Sequence, residues 1–259
     1  MGPVGNIQPA SFAADEPTGE QQAMDSLQQQ AADLFGLELS AAQISAFERY
    51  SAELLAWNAH TNLTAITEPN MVRVRHFLDS LSVTQAATFC AGHRVIDVGT
   101  GAGFPGVPLA LVYPDIHMTL LEATGKKIAF LDHLKDVLSL SNVTTLKARA
   151  EEAGHTVAHR ATYDIVLARA VARLPALLEY LLPLATVGGV CVAMKGATAQ
   201  QEIQDSATAL ATLGGELVDV QVIPLPGVDD PHYLITVRKT RETPTPYPRQ
   251  PGIPTRKPL

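Results

Sequence analysis

The run Val95-Ile96-Asp97-Val98-Gly99-Thr100-Gly101-Ala102-Gly103-Phe104-Pro105-Gly106 constrains the fold of this chain more than any other stretch. A short apolar, β-branched segment ends in an acid and a valine. Glycines then stand at alternate positions, and an apolar, helix-compatible segment follows. The pattern predicts a strand, a tight turn and the start of a helix, with glycines that take positive φ and let the backbone approach a ligand closely. Such a turn at the carboxyl end of a parallel strand is where nucleotide-like ligands bind in open α/β sheets. Without a ligand it is only a tight β–α connection.

From His93 onward strand-like and helix-like runs alternate. Strands are expected over 94–98, 117–122, 143–147, 163–168, 187–194, 216–223 and 232–238, and helices over 106–112, 125–139, 150–157, 174–185 and 199–213. That alternation implies βαβ units and a mainly parallel sheet. The last two strands have no helix between them. Pro224, Pro226 and Gly227 make a turn there instead, so an antiparallel pair closes a seven-stranded, Rossmann-like sheet. Before His93 the periodicity predicts helices over 24–35, from the N-cap Ser40 through Trp57, and from Thr67 to Phe89. The organisation that follows is an unstructured extension (1–22), a helical cap (23–92), an α/β domain (93–239) and a basic, proline-rich tail (240–259).

Two ligands compete for the glycine turn. A dinucleotide site wants Gly-x-Gly-x-x-Gly with a pyrophosphate on the helix N-terminus. Here Gly99, Gly101 and Gly103 are spaced otherwise, and Asp97 would repel phosphate while suiting a cationic or zwitterionic ligand. S-adenosylmethionine has that character. The Asp-x-Gly-x-Gly-x-Gly string resembles the first motif of class I S-adenosylmethionine-dependent methyltransferases, and the antiparallel strand pair fits the same fold. Glu122, which ends the apolar run from Met118, is placed to hydrogen-bond ribose hydroxyls of either cofactor. The turn alone leaves open an NAD(P)-dependent oxidoreductase, or a non-catalytic ribosome-binding module of the same fold.

Composition narrows the class. The chain has 46% hydrophobic residues, enough for a packed core, and no charge-free apolar run long enough to span a membrane. No signal peptide is evident. Cys90 and Cys191 lack C-x-x-C spacing and are expected as buried free thiols in a reducing cytoplasm, with no metal site. A net charge of −7 argues against indiscriminate nucleic-acid binding. From Arg238 onward, however, Arg238, Lys239, Arg241, Arg249, Arg256 and Lys257 face Glu242 alone. That end is either a phosphate contact or a solvated tail.

Several further strings occur in order: Asn62-Leu63-Thr64-Ala65-Ile66; Arg75-His76-Phe77-Leu78-Asp79-Ser80-Leu81; Asp97 to Pro108; Gly125-Lys126-Lys127; Ala168-Arg169-Ala170-Val171-Ala172; Lys195-Gly196; Tyr247-Pro248-Arg249; Gly252-Ile253-Pro254; and Pro258-Leu259. Together, over about residues 40–259, they resemble the RsmG (GidB) family of bacterial rRNA methyltransferases. The resemblance implies methylation of guanine N7 in the 530 loop of 16S rRNA in the small ribosomal subunit. S-adenosylmethionine is then the cofactor, S-adenosylhomocysteine the product, and the protein a cytoplasmic monomer.

It also implies site residues. Gly99 would lie under the methionine part of the cofactor, Phe104 would close the loop, Ala150 and Glu151 would lie beside the adenine, and Glu122 at the ribose. Arg169, at the carboxyl end of the fourth strand, would contact a ligand. Asp97, Gly101 and Gly103 complete the cofactor set. Asn62, Arg75, Arg173, Lys195 and Arg249 are candidates for RNA contact, with His76 and Arg169 as weak catalytic candidates. The plainer alternatives are a satisfied, partly buried His76, an i, i+4 pair between Arg75 and Asp79, a surface Arg173, and Lys126 and Lys127 as a solvated helix start. Guanine N7 carries a lone pair and no proton. No general base is therefore required, which fits a chain without an obvious nucleophile–base pair.

Overall fold

The computed structural model describes residues 19–259. The expected N-terminal extension lies outside the described residues as far as position 18, and from Gly19 the chain is helical. Helix α1 (Gly19–Phe35) leads to α2 (Ala41–Thr61), which opens on a capping box. The Ser40 hydroxyl accepts from the Gln43 amide at 3.3 Å, and the Gln43 side chain accepts from the Ser40 amide at 2.8 Å. Ile44, Phe47, Tyr50 and Leu54 form its buried stripe. It stops at Asn62, whose φ of 51° is a left-handed conformation that asparagine tolerates. The third expected helix is interrupted. A turn of helix, α3 (Pro69–Val72), widens into a π-helical stretch (Arg73–Leu78), narrows to α4 (Asp79–Leu81), and ends in a 3₁₀ turn at Gln85 rather than at Phe89. Inserted π turns recur at functional sites, and this one carries Arg75 and His76.

The α/β domain is one mixed sheet of β1 (Arg94–Val98), β2 (His117–Glu122), β3 (Val143–Lys147), β4 (Tyr163–Arg169), β5 (Ala185–Lys195), β6 (Gly215–Ile223) and β7 (His232–Lys239), in the order β3-β2-β1-β4-β5-β7-β6. Strands β1 to β5 run parallel, and β7 lies antiparallel between β5 and β6. Neighbouring residues alternate between two cores, as the period of a strand requires. Val95, Leu120, Ile165 and Val192 face the cap, α5 (Gly106–Val112) and α6 (Gly125–Val137). Ile96, Leu121, Val166 and Cys191 face α8 (Leu174–Leu181) and its neighbours. Burial on both faces is why these strands read as unbroken apolar runs.

Three local readings change. The helix expected over 199–213 is two, α9 (Ala199–Gln204) and α10 (Ala207–Leu213); the Ser206 hydroxyl at the break bonds back to the Glu202 carbonyl at 2.6 Å. Helix α7 (Ala150–Ala153) is a single turn. Cys90 is exposed; only Cys191 is buried, where desolvation pushes its thiol up to about 12.

The tail packs on the domain, although most of its residues remain exposed. Its prolines leave it short of N–H donors but rich in carbonyls, and the domain supplies the donors. The Arg160 guanidinium donates to the carbonyls of Gly154 (2.7 Å), Tyr247 (2.8 Å) and Thr243 (2.8 Å), and His155 Nε2 lies 2.6 Å from the Pro248 carbonyl. Arg249 caps the fully buried Glu179 of α8, Gly252 N–H donates to Glu151 at 3.0 Å, and α11 (Ile253–Arg256) packs on α8.

Candidate active site

The glycine turn is pinned from below and from the cap. At Gly103, with φ of 102°, a Cβ would stand 2.7 Å from the Tyr50 hydroxyl, which donates to the Ala102 carbonyl at 2.6 Å. At Gly106 a Cβ would meet Leu120 at 2.4 Å. Asp97 is fully buried beneath the turn. Its Oδ2 accepts from the Thr100 hydroxyl (2.6 Å) and from the Gly106 N–H at the start of α5 (2.8 Å), while Oδ1 has no partner among the described residues. Desolvation raises this carboxyl to about 6, although Thr100, Gly106 N–H and the Arg169 charge all pull it down. Asp97, expected in the cofactor set, therefore holds the loop and supplies negative charge from below.

A cavity of about 200 Å³ opens at the carboxyl ends of β1, β2 and β3, between Gly99, Glu122, Ala150, Glu151, Val171, Tyr180 and Thr255. Four of the expected cofactor residues meet here from three separate stretches of chain. Glu122 is nearly buried, with Oε1 accepting from Thr124 N–H (2.8 Å), Oε2 from Gly101 N–H (3.2 Å), and Lys127 Nζ at 3.9 Å. Lys127 is thus a partner of Glu122 and not merely a solvated charge. Tyr180 and Thr255, whose hydroxyls are 2.9 Å apart, were not expected. The one available signal was the tail string around Gly252-Ile253-Pro254, which by itself names no contact.

A second cavity, of about 430 Å³, lies beyond the end of β4 and is lined by Ile66, Arg75, His76, Asp79, Arg169, Lys195, Glu202, His232 and Tyr233 among others. Arg169 and Ala170 face it while Val171 faces the first, so residues 169–171 form the ridge between the two. Phe104 organises one wall. His76 stacks on its ring at 4.5 Å, Tyr50 on the ring at 5.1 Å, and the Arg169 guanidinium sits 5.0 Å from its centroid. Arg169 also donates to the Arg75 carbonyl (2.8 Å) and to Asp79 (3.0 Å). The expected Arg75–Asp79 pair does not form. The wider π turn between them swings Asp79 to the buried side, and Arg75 faces Asp230 at 3.6 Å. Burial, and then the Arg169 charge, lower His76 to about 4. At neutral pH it is an uncharged ring, with Nε2 2.8 Å from the Thr64 hydroxyl.

The RNA-contact candidates divide. Arg75 reaches the second cavity; Asn62 and Arg173 are exposed, Arg173 pairing with Asp205 at 2.7 Å. Lys195 and Arg249 are already engaged. Lys195 is half-buried, with Nζ 2.6 Å from Glu202 and bonded to the Ala172 carbonyl. Burial alone would raise the Glu202 carboxyl, yet Lys195, Thr198 and the Leu174 N–H together hold it below the usual range. Lys195→Ala is expected to cost about 3 kcal/mol by leaving that carboxylate unpaired. Thermal unfolding would show the loss, and the salt dependence of RNA binding would not change, because no phosphate contact is removed.

Residues 43–226 match the GidB family, rRNA small subunit methyltransferase G. The chain belongs to this family. A protein of Roseiflexus castenholzii described as ribosomal RNA small subunit methyltransferase G is 46% identical over 87% of this chain and 95% of its own. A Lysinibacillus sphaericus protein of the same description is 42% identical over 93% and 99%. Among solved structures, the [4+2]-cyclase SpnF superposes with a TM-score of 0.54 at 14% identity, covering 77% of this chain and 96% of its own. YcgJ of Bacillus subtilis gives 0.51 at 13%, covering 64% and 100%. At such identities these show the fold alone, and a cyclase among them shows that the fold does not choose the reaction. The residues at the two cavities must do so.

Proposed function

We propose that this protein transfers the methyl group of S-adenosylmethionine to guanine N7 in the 530 loop of 16S rRNA, acting as a cytoplasmic monomer on the small ribosomal subunit. The observation that carries the reading is the pair of cavities at the carboxyl edge of the sheet, with residues 169–170 lining one and Val171 the other. One gathers four of the expected cofactor residues, the other is open to an acceptor, and membership of the rRNA small subunit methyltransferase G family supports the substrate class.

The cofactor cavity fits the donor. Glu122 offers a carboxylate for ribose hydroxyls, and the buried charge of Asp97 beneath the turn favours a cation while disfavouring a pyrophosphate, which argues against the NAD(P) alternative. Bound S-adenosylmethionine would supply an electrophilic methyl on a cationic sulfur. The protein's part is alignment. The N7 lone pair lies in the ring plane and needs no deprotonation, so His76, uncharged and stacked on Phe104, serves as a wall and not as a base. Arg169, held at four points by Arg75, Asp79, His76 and Phe104, fixes the ridge over which the two substrates face each other. Orientation of this kind is worth up to about 7–11 kcal/mol in favourable cases.

The test is transfer of labelled methyl to small subunits lacking the modification, beside large subunits, naked rRNA and tRNA, with N7 methylation mapped by base-specific strand scission. A single site in the 530 loop supports the reading. Incorporation elsewhere, or none despite cofactor binding, overturns it. Glu122→Gln is expected to weaken S-adenosylhomocysteine binding by about tenfold, the loss of a charge-assisted bond. Calorimetry would measure it, with the KM for subunits unchanged.

A further inference from the structure

We infer that His232 selects guanine over adenine in the acceptor cavity, by offering a ring-nitrogen lone pair to the Watson–Crick edge of the base. The inference rests on the function proposed above and deepens it. Any purine carries an N7 lone pair, so alignment with a methyl donor cannot by itself distinguish the two bases. Discrimination needs contact with the edge at positions 1 and 2, where guanine presents N1–H and N2–H donors and adenine, whose donor is the N6 amino group at the other end of that edge, a bare N1. A flipped-out base is read in this way in other enzymes that act on bases.

His232 opens β7 and lines the second cavity. Its Nδ1 lies 3.1 Å from Asp79 Oδ1, and the other Asp79 oxygen is held by Arg169 at 3.0 Å. An ionised carboxylate only accepts, so Nδ1 carries the hydrogen. In the neutral ring the lone pair then sits on Nε2, which has no hydrogen-bond partner among the described residues and is not among the sealed polar atoms. The ring keeps 22% of its surface exposed. Asp79 is thus the positioning residue that fixes tautomer and direction. The other acidic group of the cavity, Glu202, is spent on Lys195, Thr198 and the Leu174 N–H, and Arg75, Arg169 and Lys195 can only donate. As N7 is alkylated the ring gains positive charge and N1–H becomes a stronger donor, so the contact strengthens along the reaction.

The experiment compares wild type, His232→Ala and His232→Gln on small subunits reconstituted with guanine or with adenine at the target position. S-adenosylhomocysteine affinity and thermal midpoint are measured on each protein. Expected is a fall of about 30-fold in kcat/KM on guanine subunits for His232→Ala, the cost of one such hydrogen bond. Its guanine-to-adenine ratio should also fall, with cofactor affinity unchanged and the thermal midpoint lowered modestly, because buried Asp79 keeps Arg169 but loses the His232 donor. His232→Gln, whose amide oxygen can replace the lone pair, should recover much of both. Activity of His232→Ala within twofold of wild type overturns the inference. So does a loss with no recovery in His232→Gln, which would make the residue a structural strut. Failure of the underlying reading appears separately, as a wild type that binds S-adenosylhomocysteine but methylates no guanine, and it overturns this inference too.

Discussion

Arg249→Ala is expected to destabilise the protein by about 3–5 kcal/mol, a large share of the ~5–15 kcal/mol that holds a typical domain together. Glu179 lies on α8 with no exposed surface, among Leu177, Leu178 and Leu181. Its oxygens accept from the Arg249 backbone N–H (2.6 Å), from Nε (2.9 and 3.1 Å) and from a terminal guanidinium nitrogen (2.6 Å). Removing the guanidinium leaves a buried carboxylate with one donor. The chain can keep it buried at that cost, or release the tail and wet it. Release would withdraw Thr255 from the cofactor cavity, so S-adenosylhomocysteine affinity should fall together with stability. Urea unfolding and calorimetry on the same preparation would measure both. The control is Arg256→Ala, whose guanidinium donates only to the nearby Gly252 carbonyl at 3.1 Å and should cost under about 1 kcal/mol. Replacing Glu179 and Arg249 together by leucine should restore most of the stability, because a buried pair is often no better than packed hydrocarbon. A loss below about 1 kcal/mol for Arg249→Ala would mean that the tail docks through its proline contacts and Arg160 instead.

Asp97→Asn is expected to stabilise the ligand-free protein at pH 7.5 by about 2 kcal/mol and to leave it nearly unchanged at pH 4. Burial raises the folded-state pKa of Asp97 from 3.8 to about 6. A raised acid favours the folded state while it is protonated. The contribution is fully present below the unfolded value and is lost as pH rises through about 6. Roughly two units at about 1.4 kcal/mol each set the ceiling. Asparagine keeps an oxygen for Gly106 N–H and Thr100 but leaves its own NH₂ where Oδ1 already lacks a partner, which trims the gain. The charge therefore costs stability that a cationic ligand above it would recover. Affinity for S-adenosylmethionine should rise through pH 6 in the wild type, more than affinity for S-adenosylhomocysteine, whose sulfur is neutral, and Asp97→Asn should flatten that difference. Denaturation and calorimetry from pH 4 to 8 would test both halves. Parallel pH profiles for wild type and variant would remove Asp97 as the source.

The seven strands and the edge of the sheet that carries the site are legible in the sequence, while the helices over 67–89, 150–157 and 199–213 are not. The alternating runs after His93 place all seven strands, and the turn at Pro224–Gly227 in place of a helix makes the last pair antiparallel. Gly99, Glu122, Ala150 and Glu151 converge because each ends or follows a parallel strand at its carboxyl end, and parallel strands bring those ends together. These features are legible because periodicity and turn chemistry are local properties of the chain. What each charge does depends on which segments the fold brings together. Glu179 and Arg249 are 70 positions apart, Arg169 and Asp79 are 90, and His232 and Asp79 are 153. Read singly, Lys195 and Arg249 look like RNA contacts and Asp97 like a ligand contact. Each is instead committed to a buried partner, because an ionised group taken out of water must find a counter-charge or a hydrogen bond wherever the fold provides one. That choice depends on which segments meet, and spacing along the chain does not record it.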